Sequence, residues 1–447
     1  MSRPQSLLRV LGLSFGLAVT VGNTIGAGIL RTPGDIATLL PNPWLFVGIW
    51  VVGCLYAALG ANALAELGTM LPRSGGQYVF ARHAFGEYAG FVVGWLDWIS
   101  NAASAAAIAI VVGESLARVA SLAPTDASPL AMAVVAIFTI LLLRGTRFGD
   151  RAQQLTSLVK AIALLTLVAA CFAFAGRTHG LTPEHAAATS AGAAATGFAA
   201  FMLAAQSVIY TYDGWNGPIY FSEELDDPGR QIPQSMFYSL LGIAAIYLLI
   251  NLAFIHALPI AALAGSSLAA GTVAHALFGA RGELLVRIVV IASLPSAVNA
   301  CLLMGSRVLF SVSRDGLGLR PATRVNAGGT PSVSLVLTGI VALAFLATGT
   351  FQTIIAIAAF FFVADYTLSF AAVFVLRRRE PEAARPYQTK GHPYTTGFVL
   401  VGSIAFLASA VAADTRNSLY ALGIVVVSYP VFRSTRQAPV PVASPGE

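Results

Sequence analysis

Hydrophobic positions in this chain run in long, nearly continuous stretches, neither alternating as half-buried strands do nor repeating as one stripe on a surface helix. Stretches of helix-spanning length fall at 10–38, 44–70, 87–118, 128–144, 153–176, 195–222, 234–257, 282–312, 331–350, 352–376, 396–412 and 416–433. They predict an all-α integral membrane protein with about twelve transmembrane helices. A transmembrane barrel would show short alternating segments and a polar lumen face, which these runs lack. Two stretches are interrupted by glycine and polar residues: Val21-Gly-Asn-Thr-Ile-Gly-Ala-Gly-Ile29 in the first and Tyr210-Thr-Tyr-Asp-Gly-Trp-Asn-Gly-Pro218 in the sixth. Lipid offers no partner for a freed backbone amide or carbonyl, so a broken helix survives at membrane depth only inside protein or along a cavity. Breaks at corresponding places in two halves of a chain point to a transporter with its substrate between them.

The breaks divide the first ten spans into two groups of five, approximately 10–176 and 195–376. An odd number of spans per repeat places the second upside down relative to the first. Spans 11 and 12, approximately 396–433, stand outside the repeat. We read residues 1–437 as a single transmembrane transporter domain and the Pro-rich residues 438–447 as a disordered cytoplasmic tail.

Composition agrees with the pattern. Over 447 residues, 57% are hydrophobic and only 10% charged, and the mean hydropathy is +0.76, which excludes a soluble domain. With the N-terminus inside, most basic residues collect on the cytoplasmic side, among them Arg3, Arg9, Arg73, Arg82, Arg144, Arg147, Arg151, Arg230, Arg314, Arg320, Arg324 and Arg377 to Arg379. Few, including Arg31, Arg118, Arg177 and Arg416, fall on the other side. Both termini are therefore expected in the cytoplasm, and the net charge of +6 has the same origin rather than marking a nucleic-acid surface. Lys160 and Lys390 are the only lysines, a bias that suggests a bacterium with GC-rich DNA and hence the inner membrane. Cys54, Cys171 and Cys301 all lie inside apolar runs and read as small core residues, not as a disulfide or metal site. No cleavable signal is evident.

The chemistry sits at the breaks. Gly26-Ala27-Gly28 exposes backbone amides at the N-terminal end of a half-helix, where partial positive charge and unpaired N–H groups suit a carboxylate. Carbonyls at Asn23, Thr24 and Tyr210 could accept from an ammonium, so one site would read both ends of an α-amino acid. Small residues allowing close helix packing are the alternative. The second break tips the balance, because Tyr210, Tyr212, Asp213, Gly214, Trp215 and Asn216 put polar and ionisable groups in mid-span, where they usually face a functional cavity.

Val21-Gly-Asn-Thr-Ile-Gly-Ala-Gly-Ile-Leu30, Ala65-Glu-Leu-Gly-Thr-Met-Leu-Pro-Arg-Ser-Gly-Gly-Gln-Tyr78, Tyr212-Asp-Gly-Trp-Asn216 and Ser222-Glu-Glu-Leu-Asp-Asp-Pro-Gly-Arg-Gln-Ile-Pro233 together resemble the amino acid–polyamine–organocation (APC) superfamily, and within it the L-type amino acid transporter branch. The resemblance spans nearly the whole chain. It implies a LeuT-type 5+5 inverted repeat with broken helices 1 and 6. Its expected substrate-binding set is Thr24, Ile25, Gly26, Ala27, Gly28, Tyr210, Asp213, Gly214, Trp215 and Asn216. The Ala27 and Gly28 amides would take the substrate carboxylate, the Thr24, Tyr210 and Asp213 carbonyls its ammonium, and Tyr210 would close over it as an aromatic gate. Many relatives have serine where this chain has Ala27, so only the amide remains there. Asp213 has two readings: a partner for a basic substrate side chain, or a cap for the exposed backbone of the break, the latter favoured.

Lys160 is the only lysine in any span, and a charged lysine near the bilayer centre costs about 2.5–3.5 kcal/mol on insertion scales. By resemblance it faces broken helix 1 from helix 5, where sodium-dependent relatives hold the ion. It would bridge helices 1, 5 and 8 as a fixed cation or, by releasing and regaining its proton, carry protons; either role argues against sodium coupling. Asn299 on helix 8 joins Lys160 and Tyr210 as an expected coupling or gating residue, with an interhelical hydrogen bond as its default. Glu223, Glu224, Asp226, Asp227 and Arg230 form either a gate or positional latch against loop arginines, or a merely solvated structural boundary, the last favoured. Glu66, Asp97, Asn101, Arg307 and Asp365 are further polar residues in or near spans.

The leading expectation is a sodium-independent exchanger or facilitator of small or mid-sized neutral L-amino acids working by alternating access, without cofactor or metal. The alternative is a proton-coupled symporter, or a broader carrier that accepts cationic amino acids or polyamines. No filter-like loop or charge ring supports a channel, and no nucleophile–base constellation supports an enzyme. The loop Ser121-Leu-Ala-Pro-Thr-Asp-Ala-Ser128 has no cysteine, where relatives that attach a heavy chain use one, so no disulfide-linked heavy chain is expected; nor is nucleic acid.

Overall fold

The computed structural model describes residues 12–144, 146–174 and 197–436, with side chains in the middle stretch from residue 158 onward. Arg3, Arg9, Arg177 and the expected tail at 438–447 lie outside the described residues, as do the side chains of Arg147 and Arg151. All named elements are helical. Span 1 is divided into α1 (Leu13–Thr24) and α2 (Ala27–Leu39), span 2 is α3 (Pro43–Met70), and a short α4 (Gln77–Phe85) precedes span 3, α5 (Glu87–Val119). Span 4 is α6 (Ala127–Leu142), span 5 α7 (Thr146–Phe174), and span 6 starts as α8 (Phe198–Tyr212) and ends in a 3-10 turn, Gly217–Phe221. Then follow α9 (Pro228–Ala257), α10 (Ile260–Leu263), α11 (Ala269–Phe278), α12 (Ala280–Ser293), α13 (Pro295–Arg314), α14 (Ser332–Thr348), α15 (Phe351–Arg379), α16 (Tyr394–Ala413) and α17 (Thr415–Thr435).

Local chemistry sets several boundaries. Asn42 caps α3 by accepting from the Trp44 and Leu45 amides, with Pro43 in the first turn. Asp227 and Thr350 cap α9 and α15 in the same way. Among the described residues 8 helices are long and apolar enough to cross a membrane, and four shorter apolar helices accompany them. Three of those four, Leu158–Phe174, Phe198–Tyr212 and Ser332–Thr348, coincide with predicted spans. The fourth, Ala269–Phe278, lies in what the sequence reading treats as a connection. The predicted span 282–312 is two helices meeting at Leu294, with Pro295 opening the second.

Packing pairs spans 2, 3 and 4 with spans 7, 8 and 9: α3 lies on α9, α5 on α13, and α6 on α14. Each broken span instead meets the fifth span of its own group, α1 against α7 and α8 against α15, while α2 crosses α8. Interior and lipid-facing helices separate by burial. In the Leu13–Leu39 and Phe351–Arg379 windows 78% of residues are buried, against 28% in Tyr394–Ala413, so the core is built from the broken spans and their partners.

A candidate substrate site at two broken helices

The first break is a two-residue interruption. α1 stops at Thr24, Ile25 leaves the helix (φ −75, ψ 73), Gly26 is extended, and α2 begins at Ala27 without a side-chain cap. Ala27 and Gly28 are therefore first-turn residues whose N–H groups have no intrahelical acceptor. Gly28 abuts Thr211 on α8: a Cβ at Gly28 would stand 2.6 Å from Thr211 Oγ1 and 2.9 Å from its Cβ. The second break begins where α8 ends at Tyr212. Gly214 adopts φ +107, and a Cβ there would lie 2.5 Å from Asn23 Nδ2 and 2.9 Å from the Thr24 backbone N. Glycine at both positions lets the two unwound segments touch.

Three side chains from other spans supply donors that the breaks lack. Lys160 Nζ on α7 donates to the Gly22 carbonyl (2.9 Å) and the Ile25 carbonyl (3.0 Å). Gly22 needs that donor because the Gly26 amide, its helical partner, turns instead to the Thr24 carbonyl at 2.8 Å. The Tyr247 hydroxyl on α9 donates to the carbonyls of Thr24 (2.5 Å) and Thr211 (3.1 Å), tying the two breaks together. Cys301 Sγ on α13 donates to Asn23 Oδ1 at 3.2 Å.

A cavity of about 20 Å³ opens between the breaks, room for about one water and none for an amino acid. Of the expected set, Thr24, Gly26, Ala27, Gly28, Tyr210 and Asp213 line it; Asn101, Ser104 and Ile108 of α5 form the facing wall, with Cys301 beside them. Ile25, Gly214, Trp215 and Asn216 do not line it. Ile25 gives its carbonyl to Lys160, Gly214 packs on Asn23, and Trp215 stacks on Tyr366 with centroids 5.1 Å apart. The Thr24 carbonyl already accepts from Gly26 and Tyr247, so both of its lone pairs are engaged in this conformation. The Asp213 carboxylate accepts from the Tyr366 hydroxyl. Lys160 bridges α7 to α1, while Asn299 is buried on α13 away from the cavity lining.

Ion pairs join the helices on either side of the site. At the end where α1 begins, Arg307 pairs with Glu224 with both side chains almost fully buried, and Arg314 clasps Glu223 at 2.8 and 2.9 Å. Asp315 there gathers Arg73, Arg82 and the Tyr78 hydroxyl. Glu223 and Glu224 thus form a latch on α13, whereas Asp226, Asp227 and Arg230 are exposed, as a solvated boundary would be. At the opposite end, Arg31 on α2 pairs with Glu114 on α5 at 2.7 Å and lies 4.3 Å over the Phe351 ring. Tyr210 meets the same ring edge-on at 6.3 Å.

The other mid-span polar residues separate into structural ties and unpaired groups. Glu66 accepts from Arg377 at 2.9 and 2.6 Å and from the Thr389 amide at 2.7 Å, fastening the segment after α15 to α3. Asp97 Oδ1 accepts from Tyr220 and Asn101, whereas its Oδ2 and both Asp365 oxygens have no partner among the described residues. Among those residues no group of three or more His, Cys, Asp or Glu side chains could hold a metal ion. Ser104 and Tyr247 escaped the sequence reading, and Cys301, expected as a small core residue, lines the cavity and bonds to Asn23. A tyrosine amid the apolar run of span 7 was the one signal available.

A family model described as amino acid permease matches residues 6–429. The chain belongs to the amino acid permease family. As a permease it is a multi-pass membrane transporter of amino acids, not an enzyme. It is 26% identical over 439 residues to the serine/threonine exchanger SteT of Bacillus subtilis, covering 96% of this chain and 97% of the relative. It is 29% identical to the large neutral amino acids transporter small subunit 2 of Oryctolagus cuniculus over 85% of this chain and 72% of that protein. It is also 28% identical to the Asc-type amino acid transporter 1 of Mus musculus, over 86% and 73% respectively.

Proposed function

We propose that this permease is a sodium-independent exchanger or facilitator of small or mid-sized neutral L-amino acids. The carrying observation is the crossing of two broken helices at a buried cavity, with the uncapped Ala27 and Gly28 amides on one side and Tyr210 and Asp213 on the other. The amides suit the substrate carboxylate; the Tyr210 and Asp213 carbonyls suit its ammonium, and the Thr24 carbonyl joins them only if Tyr247 swings away. A cavity too small for an amino acid, latched toward both ends, fits an occluded step of alternating access. Lys160, bonded to two carbonyls of the first break, satisfies oxygens that would otherwise attract a cation, which favours sodium independence. The relative named as an exchanger favours exchange.

The matching contacts in the two groups, with spans 2, 3 and 4 on 7, 8 and 9 and each broken span on the fifth of its own group, support two inverted repeats near 10–176 and 195–376, with 396–433 outside them. The arginine distribution favours cytoplasmic termini in a bacterial inner membrane, which places the Glu224–Arg307 latch on the cytoplasmic side and Arg31 on the outer side. The chain acts without a disulfide-linked heavy chain. The test is uptake of labelled alanine into sodium-free proteoliposomes loaded with unlabelled amino acids: stimulation by internal substrate supports exchange, and failure to move any amino acid refutes the reading.

The presence of Asp213 in the cavity lining favours a second reading, a broader carrier that accepts cationic amino acids or polyamines, with or without coupled protons. Asp213→Gly would then remove arginine uptake while sparing alanine. Equal losses for both count against it, and uptake driven by a pH gradient without internal substrate would move the mechanism from exchange to proton symport.

A further inference from the structure

Many hydroxyls on buried helices in this protein bond back to a carbonyl three or four residues earlier. Thr20 bonds to Gly16, Ser100 to Asp97, Ser115 to Val111, Thr211 to Ser207, Ser306 to Leu303 and Thr338 to Ser334. That back-bond is the default for serine and threonine inside a helix. Ser104, Thr24, Ser235, Ser311 and Ser313 depart from it, and of these only Ser104 and Thr24 lie at the substrate cavity. Ser104 Oγ and Thr24 Oγ1 have no hydrogen-bond partner, although the residues are only 7% and 3% exposed, and both line the substrate cavity. A buried hydroxyl without a partner is destabilising, so the ligand of this cavity is the natural group to complete them.

We propose that Ser104, assisted by Thr24, is a specificity determinant that selects short amino acids carrying a side-chain hydroxyl over their apolar isosteres. The inference rests on the amino acid site proposed above. There the substrate's carboxylate and ammonium are taken by the two breaks, which leaves its side chain facing the wall built by Asn101, Ser104 and Ile108 at successive turns of α5. Asn101 is already engaged, since its Nδ2 donates to the Asp97 carbonyl and carboxylate. Ser104 lies beside the Tyr210 hydroxyl but makes no hydrogen bond of normal geometry, so it is free to turn to a ligand. A substrate hydroxyl has one donor and two acceptor sites, so it can serve Ser104 and Thr24 together. Ile108, one turn beyond Ser104 and almost fully buried, bounds the subsite with an apolar wall that suits a methyl group and limits side-chain length. An isostere lacking the hydroxyl leaves both protein hydroxyls unpaired, and this is where polar sites discriminate most strongly.

The experiment compares kcat/KM for serine against alanine and for threonine against valine in proteoliposomes of the full chain. The expected result is a preference of about tenfold for each hydroxylated member, the size of one completed buried hydrogen bond. Ser104→Ala is expected to bring both ratios close to one, whatever its effect on the absolute rates. Wild-type protein that moves threonine and valine equally overturns the proposal without any variant, and so does a Ser104→Ala protein that keeps the wild-type ratios. Uptake of no amino acid overturns the site itself, an outcome distinct from uptake without discrimination.

Discussion

Replacing Lys160 by methionine keeps an unbranched side chain of similar length and removes the donor. In the structure Nζ satisfies two carbonyls at 2.9 and 3.0 Å, with the residue 2% exposed. Gly22 has no substitute, because the Gly26 amide has turned to Thr24. Each carbonyl left unpaired in a dry site costs about 1–3 kcal/mol, about 2–6 kcal/mol for the two. Relief from no longer holding a charge in the membrane, about 2.5–3.5 kcal/mol, accompanies every inserted conformation. The carbonyl penalty falls only on conformations with α1 docked against α7. Overall stability should therefore change little, while a differential near 3 kcal/mol lowers the docked population by about 100-fold. Exchange in proteoliposomes should fall at least about tenfold for both Lys160→Met and Lys160→Ala, with thermal unfolding in detergent checking that the protein stays folded. Wild-type exchange in Lys160→Met would refute the reasoning, since packing volume and not the donor would then be what α7 supplies.

The buried Arg307–Glu224 pair gives a second prediction. Arg307→Met strands a carboxylate that is nearly inaccessible and should destabilise by about 3–5 kcal/mol, read as a lower thermal midpoint, whereas Arg307→Met with Glu224→Gln should recover most of the loss. Gly28→Ala forces a methyl into the Thr211 side chain and should abolish uptake, with partial rescue by Thr211→Ala. Gly214→Ala should also abolish uptake, but without rescue by Asn23→Ala: the Thr24 backbone N remains 2.9 Å from the new Cβ, and φ +107 adds about 1–3 kcal/mol of strain. A second-site rescue measured at Gly214 would refute that difference.

Much of the architecture follows from the chain order of residues alone. Runs of apolar residues define spans because lipid demands them, and glycines followed by polar groups mark Thr24–Gly28 and Tyr210–Asn216 as interruptions because an unpaired backbone needs a cavity. Lys160 identifies itself as a bridge because a cation in an apolar run requires partners. What the sequence leaves open is rotation about each helix axis. Spans apolar on nearly every face carry no polar stripe to say which side meets which neighbour. Tertiary packing alone turns Ser104 and Cys301 onto the cavity, sends Trp215 away to Tyr366, and brings Tyr247 onto the Thr24 carbonyl. It also makes the acidic segment at Glu223 and Glu224 a latch, with partners on α13 more than eighty residues away. Composition determines that such a chain lives in a membrane and where its helices break; the close fit of one helix against another decides which polar groups are satisfied and which are left to meet a ligand.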